Sequence, residues 1–183
     1  YIADRVRDFL HKEMITHGLI NLGGNILALQ SPNGFWSVGL KKPFSKHKPE
    51  GENADEFVGT IEIANMSVVT SGIYERYFEQ DGHLYHHLLD PHTGYPIDNE
   101  LESVTIISKN SIDGDIWSTL IFGMGLRKGY LVASKKPDLE AIFLTKRKEI
   151  FITSTEKFKF NLLDQNYTVT DFASLDDPNI KTT

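Results

Sequence analysis

From residue 19 to residue 107, short apolar segments follow one another through tight turns with no helical stretch between them. This pattern restricts the fold more than any other feature of the chain. Parallel strands need crossovers of a dozen or more residues, usually helical, whereas antiparallel strands need only a turn. Asp81-Gly82, between residues 74–78 and 84–87, is a strong hairpin signal. Pro32-Asn33-Gly34 separates residues 26–29 from 35–40 and predicts a second hairpin. Residues 57–63 set Val58, Ile61 and Ile63 against Gly59, Thr60 and Glu62, as in a half-buried strand. Residues 19–22 are apolar, break at Gly23-Gly24 and resume at Ile26, and residues 67–70 read as another short strand.

Helical periodicity flanks this region. Residues 3–17 place Val6, Phe9, Leu10 and Met14 at helical spacing, with Gly18 as the expected C-cap. Residues 113–122 and 126–134 read as helices interrupted at Gly123 and Gly125. Strands are expected at 104–107, 139–144, 150–153 and 158–162, the middle pair turning at Lys146-Arg147-Lys148. Residues 43–56 form a polar loop, and about 170–183 a polar, frayed tail. Helix, strands, helices, strands, in that order and without repeats, predict an α+β fold with a mainly antiparallel sheet packed with helices. Residues 1–183 are expected to belong to one domain.

A chain of 183 residues, 40% hydrophobic and 24% charged, has globular composition. Its formal net charge of -6 argues against non-specific nucleic-acid binding and against a polybasic membrane patch. The absence of cysteine removes disulfides, thiolate metal sites and cysteine nucleophiles. No apolar run approaches the roughly 18 residues that a membrane-spanning helix needs. The chain opens Tyr1-Ile2-Ala3-Asp4, with neither Met nor a basic-then-apolar leader. The expectation is a longer protein whose upstream part carries any targeting signal.

Four segments carry possible chemistry, and each has a structural reading beside it. In Asn21-Leu22-Gly23-Gly24-Asn25 the glycine pair marks either a bulge or a close approach of backbone N–H groups to a ligand. Thr70-Ser71-Gly72-Ile73-Tyr74-Glu75-Arg76 is either an ordinary turn with a solvated ion pair or a phosphate or ring site. In the second case the Ser71 hydroxyl would line it and Tyr74 would offer a flat face. His86-His87-Leu88-Leu89-Asp90-Pro91-His92-Thr93-Gly94-Tyr95-Pro96 holds a histidine beside a turn fixed by proline and glycine. An imidazole so held is suited to take a proton from a hydroxyl near neutral pH. Zinc competes here through His86, His87, Asp90 and His92, but neighbours on a strand point to opposite faces and make poor joint ligands. In Asp113-Gly114-Asp115-Ile116-Trp117-Ser118-Thr119, Asp113 or Asp115 is a candidate helix N-cap. Alternatively Asp115 and Thr119, one helical turn apart, present two hard oxygens on one face, an arrangement that suits Mg²⁺.

In this order and spacing the segments resemble the ApbE family, the FAD:protein FMN transferases once described as thiamine-biosynthesis lipoproteins. Tyr1-Ile2-Ala3-Asp4 resembles the end of the family's Lys-Gly-Tyr-x-x-Asp segment, and Asn21 to Asn25 its Gly-Gly-Asp-like loop. Thr70 to Arg76 resembles its Ser-Gly-x-Tyr-x-Arg-like segment, and His87 to Gly94 its His-Ile-Ile-Asp-Pro-x-Thr-Gly signature. Asp115 to Thr119 resembles its Asp-Ala-x-Ser-Thr metal motif.

The resemblance implies a fold of the ApbE, T-fold-like kind and a chain that forms the C-terminal portion of one flavin-transferase domain. It implies Mg²⁺ held by Asp115 and Thr119, with a further backbone ligand upstream of Tyr1. It implies FAD as substrate, contacted by Tyr1, Asn25, Tyr74, Leu89 and Asp90 and shaped by Gly23, Gly24, Ser71 and Gly72. His87 becomes the expected catalytic base, also at the flavin site. Asn25 stands where the family carries an acid. The partner implied is an acceptor flavoprotein modified on a Thr or Ser hydroxyl, with AMP released. Two alternatives remain: a Mg²⁺-dependent FAD pyrophosphatase and a non-catalytic flavin-binding module. A cell-envelope lipoprotein anchored upstream, or a cytoplasmic form, is the implied location.

Overall fold

A computed structural model describes residues 1–44 and 56–176 of the chain. The polar loop expected at 43–56 and the end of the expected tail fall largely outside these residues.

The chain begins with α1 (Ile2–Lys12) and continues through β1 (Leu19–Asn21), β2 (Asn25–Ala28), β3 (Trp36–Lys41), β4 (Phe57–Ile63) and β5 (Ser67–Gly72). The hairpin β6 (Tyr77–Gln80) and β7 (His83–His86) precedes β8 (Leu101–Ser108). Then come α2 (Ser111–Met124), α3 (Leu126–Ala133), β9 (Leu139–Thr145), β10 (Glu149–Ile152), β11 (Lys159–Leu162) and β12 (Thr168–Val169). Seven strands form one sheet in the order β1-β2-β5-β8-β9-β10-β12, and β11-β4-β3 form a second. Every pairing is antiparallel except that of β10 with β12. The expected α+β architecture is present.

Strand alternation gives the large sheet two dry faces. Val104, Ile106, Ala141 and Phe143 pack with Ile121 and Phe122 of α2. Their neighbours Ile107, Ile142 and Leu144 pack with Val38, Leu40, Val58 and Ile61 of the three-stranded sheet. The result is helices on one side, the large sheet in the middle and the small sheet on the other. Burial on both faces explains why β9 reads as a nearly continuous apolar run instead of alternating.

The glycine pair turns β1 into β2, with Gly23 at φ 69° and Gly24 at φ 78°, a conformation that disfavours a side chain. With β1 on one edge of β2 and β5 on the other, β2 has no edge left for β3. Pro32-Asn33-Gly34 therefore does not close the expected hairpin; it carries the chain to the second sheet, where β3 pairs with β4. Asp81-Gly82 does close a hairpin, between β6 and β7, with φ positive at both residues.

The first helix is shorter than the expected 3–17. It stops at Lys12, and Met14 adopts φ 60°, which ends helical geometry before Gly18 is reached. Phe9 and Met14 are exposed, so only Ala3, Val6 and Leu10 of the apolar stripe pack onto β1 and β2. Gly123 lies within α2, and only Gly125, at φ 74°, separates it from α3. The start of the expected frayed tail is docked: Phe172 opens a 3₁₀ helix (Phe172–Asp176), and its ring stacks on Tyr130 at 3.8 Å. Among the described residues no helix is long and apolar enough to cross a membrane.

Gly114 sets how closely α2 lies on β5. A Cβ at this position would meet Val69 Cγ2 at 2.7 Å and Val69 Cβ at 3.0 Å. Gly114→Ala is expected to destabilise the fold by about 1–3 kcal/mol, because overpacking outweighs the helix propensity gained. Urea denaturation measures this, and an unchanged midpoint would mean that the helix has room to move.

Candidate active site

Helix α2 packs along β5, with Gly114 on Val69 and Ser118 and Thr119 bonded to Ser71, and beside them lies a cleft of about 380 Å³. Gly23 and Gly24 line it from the β1–β2 loop, Asn25 from the start of β2, and Ser71 and Gly72 from β5. Arg76 and His87 enter from the strand ends around the β6–β7 hairpin, and Asp115 and Thr119 from α2. Eight of the residues singled out in the sequence thus converge on one surface: Gly23, Gly24, Asn25, Ser71, Gly72, His87, Asp115 and Thr119. Clefts of about 650 and 510 Å³ open near residues 95–101, but neither contains the glycine loop, His87 or the α2 pair. Chemical convergence, not size, selects the smaller one.

Asp115 and Thr119 are exposed, and a chain of hydroxyls lies behind them. Ser118 Oγ donates to the Asp115 carbonyl at 3.2 Å, a common bond for serine inside a helix. Its single proton is then used, so at 2.8 Å Ser71 Oγ donates to Ser118 Oγ. By the same count Thr119 Oγ1 donates to Ser71 Oγ at 3.0 Å. The proton of Thr119 is thereby engaged by Ser71, and its lone pairs remain available as a ligand. One carboxylate and one such hydroxyl are hard oxygen donors, which fit Mg²⁺ with waters and phosphate oxygens completing its shell. Among the described residues no group of three or more His, Asp or Glu side chains is placed to hold a metal, so the zinc reading finds no support.

The two adjacent histidines differ sharply. His86 is buried; Leu88 N–H donates to its Nδ1 at 3.3 Å, and its Nε2 donates to the Ile97 carbonyl at 3.2 Å. Burial lowers its pKa below the ordinary histidine value. Both nitrogens are occupied by structural bonds. His87 is exposed on the cleft, with Nδ1 3.2 Å from the Arg76 carbonyl. A carbonyl only accepts, so Nδ1 carries the proton and Nε2 of the neutral ring keeps its lone pair. That is the tautomer a general base requires.

The glycine loop is fixed from both sides. Thr70 N–H donates to the Gly24 carbonyl at 3.1 Å, and Asn25 Oδ1 accepts the Ser111 hydroxyl at 2.6 Å. Asn25 thus fills its position by hydrogen bonding, without a charge. Gly72 packs against Tyr74, where an added Cβ would lie 2.9 Å from Cε1 of that ring.

Four expected flavin contacts do not reach the cleft. Tyr74 is 4% exposed and belongs to the core beside Leu101 and Ile121, with its phenol pushed up by burial; it borders a smaller pocket behind Gly23 and Gly24 and does not line the cleft itself. Asp90 shapes a turn instead: its carboxylate accepts His92 N–H and its carbonyl accepts Gly94 N–H, both at 2.8 Å. Leu89 forms a backbone bridge to Pro96 and does not line the cleft, and Tyr1 is exposed at the start of α1. Asp113 accepts from Asn110 Nδ2 at 3.0 Å, and Asp115 lines the cleft, so neither is the N-cap of α2. Sequence reasoning missed Ser118, whose hydroxyl orients the donor chain, and Ser111, which holds the loop. Ser111 looks like an ordinary helix residue with no local signal, whereas Ser118 is the serine of the Asp115 to Thr119 motif, in which helical spacing singles out only the flanking Asp115 and Thr119.

Comparison with known proteins follows the same line. The model of the ApbE family matches residues 1–143. A FAD:protein FMN transferase of Klebsiella pneumoniae (strain 342) is 51% identical over 171 residues, which is 93% of this chain and 51% of that protein. One from Treponema pallidum (strain Nichols) is 31% identical over 178 residues, 91% of this chain and 47% of that protein. The crystal structure of the ApbE protein of Thermotoga maritima superposes with a TM-score of 0.65 at 32% identity, covering 78% of this chain and 45% of that one. The flavin transferase ApbE from Vibrio cholerae gives 0.61 at 28% identity, covering 87% and 46%. The chain spans about half the length of the relatives it matches. With the family model covering residues 1–143 and the shared motifs gathered in one cleft, this chain belongs to the ApbE family.

Proposed function

We propose that the intact protein transfers FMN from FAD to a Thr or Ser hydroxyl of an acceptor protein and releases AMP. The observation that carries this reading is the meeting, in one cleft, of a base-competent His87, the hard-oxygen pair Asp115/Thr119 and a glycine-lined backbone loop. The acceptor hydroxyl oxygen forms a bond to the FMN-side phosphorus as the bond from that phosphorus to the AMP oxygen breaks. The hydroxyl proton passes to His87 Nε2, and AMP leaves with the electron pair. Asp115 and Thr119 are the residues that would hold Mg²⁺, which supplies neutralisation of charge on the pyrophosphate and on the departing AMP. The glycine loop lets backbone approach the phosphates without side-chain obstruction, since Gly23 and Gly24 leave open space where Cβ atoms would stand. The chain contributes position and field, and no covalent intermediate is required of it. A non-catalytic flavin module would have no use for an oriented base beside an oxygen pair. AMP release from FAD by the intact enzyme, stopped by EDTA and restored by Mg²⁺, tests the reaction class.

At about 380 Å³ the cleft is at the low end of the roughly 300–1,000 Å³ that encloses a drug-sized ligand, and FAD is larger than such a ligand. We propose that the remaining half of the relatives' length supplies the other wall. Residues 1–183 alone are therefore expected to bind FAD weakly, without saturation in the sub-micromolar range, by fluorescence titration. Tight binding by this chain would mean that the site is complete within it.

A further inference from the structure

The N-terminus of α2 is capped from a distance. Its N-cap residue, Asn110, is extended and makes no side-chain cap bond. The carboxylate of Asp4, on α1, takes the role: Oδ1 accepts Ser111 N–H at 2.8 Å and Oδ2 accepts Ile112 N–H at 2.9 Å. Asp4 is 8% exposed, although it is charged. Arg7, one turn on, lies 3.6 Å from Asp4 Oδ1 and donates to the Lys109 carbonyl at 3.2 Å. The same first turn holds the glycine loop, because Ser111 Oγ donates to Asn25 Oδ1. Asp115 and Thr119 follow on the next turns of this helix and line the same cleft as that loop.

We propose that Asp4 is a positioning residue for the Asp115/Thr119 pair. It fixes the axial and rotational setting of α2 relative to α1 and the glycine loop. This inference rests on reading Asp115/Thr119 as the metal pair. Charge-assisted bonds to helix N–H groups are short and directional, so both oxygens together allow one seating of the helix. Without them, the start of α2 is held by Ser111–Asn25, by packing at Gly114 and by the longer Arg7 bonds to the Lys109 carbonyl and Asn110 Oδ1, none of which reaches the first-turn N–H groups, and the pair can shift relative to the loop and Ser71.

Glu100 provides an internal control. Its Oε1 accepts Leu126 N–H at 2.6 Å and so caps α3, a helix with no candidate site residue. The test is Mn²⁺ titration of the intact enzyme in the presence of FAD, with free Mn²⁺ read by EPR and melting followed by circular dichroism. Asp4→Ala is expected to weaken Mn²⁺ binding by roughly 10-fold, the range seen when a ligand's supporting partner is lost. Asp4→Asn, which keeps one acceptor oxygen, should fall between Asp4→Ala and the parent. Glu100→Ala should melt earlier while binding Mn²⁺ as the parent does. Parent-like binding in Asp4→Ala, or equal weakening in Glu100→Ala, would overturn the proposal. If Asp4→Ala does not fold, parent-like binding in Asp4→Asn would overturn it in the same way. Asp115→Ala separates the two ideas. If it abolishes Mn²⁺ binding while Asp4→Ala does not weaken it, only the positioning role falls. If Asp115→Ala binds Mn²⁺ normally, the metal reading falls as well.

Discussion

Asp115→Ala is expected to abolish Mg²⁺-dependent turnover of FAD in the intact enzyme without disturbing the fold. The side chain is exposed on the cleft, so its loss leaves no core cavity. It is the only carboxylate of the α2 pair, and a hard cation loses most when an anionic oxygen is removed. The fall in activity should exceed the roughly 10–100-fold typical of an outer-shell partner. Thr119→Val should have a smaller effect, because it removes a neutral ligand and one link of the hydroxyl chain through Ser71. AMP release at saturating Mg²⁺ measures both. A parent-like rate in Asp115→Ala would remove this helix from metal binding.

His87→Ala is expected to slow FMN transfer by about 10²–10⁴-fold, the usual contribution of a general base, while changing FAD binding little. The tautomer sets the direction of this effect. With Nδ1 donating to the Arg76 carbonyl, the neutral ring keeps Nε2 as a proton acceptor. His86 is the control, since its ring donates to Ile97, accepts from Leu88 and is buried away from the cleft. His86→Ala should lower stability through the lost bonds yet leave the transfer rate of the folded enzyme within a few-fold. Flavinylated acceptor, counted by mass, separates the two variants. A normal rate in His87→Ala would leave the attack on phosphorus without a side-chain base.

Much of this was legible in the residues. Strand periodicity and the Asp81-Gly82 turn pointed to the antiparallel architecture, because alternation and turn chemistry act locally. The helical spacing of Asp115 and Thr119 put both on one face, and strand alternation put His86 and His87 on opposite faces. What failed depended on distant parts of the chain. The 32–34 turn looks like a hairpin until β1 and β5 are seen to occupy both edges of β2. Tyr74 looks like a ring offered to a ligand until Gly72 and Ser103 are found packed against it. Asp4 reads as an early residue of α1, and nothing nearby in the sequence shows that its carboxylate caps a helix more than a hundred residues later.

The central claim is that this cleft passes FMN to a protein hydroxyl. The most direct measurement is the intact mass of an acceptor protein after incubation with the intact enzyme, FAD and Mg²⁺, with AMP quantified in the same reaction. The expected result is an acceptor heavier by one FMN less one water, located on a Ser or Thr, with one AMP released per modification. FMN and AMP accumulating together while the acceptor mass stays unchanged would contradict the claim, and would mean that water attacks the phosphorus in place of the acceptor hydroxyl.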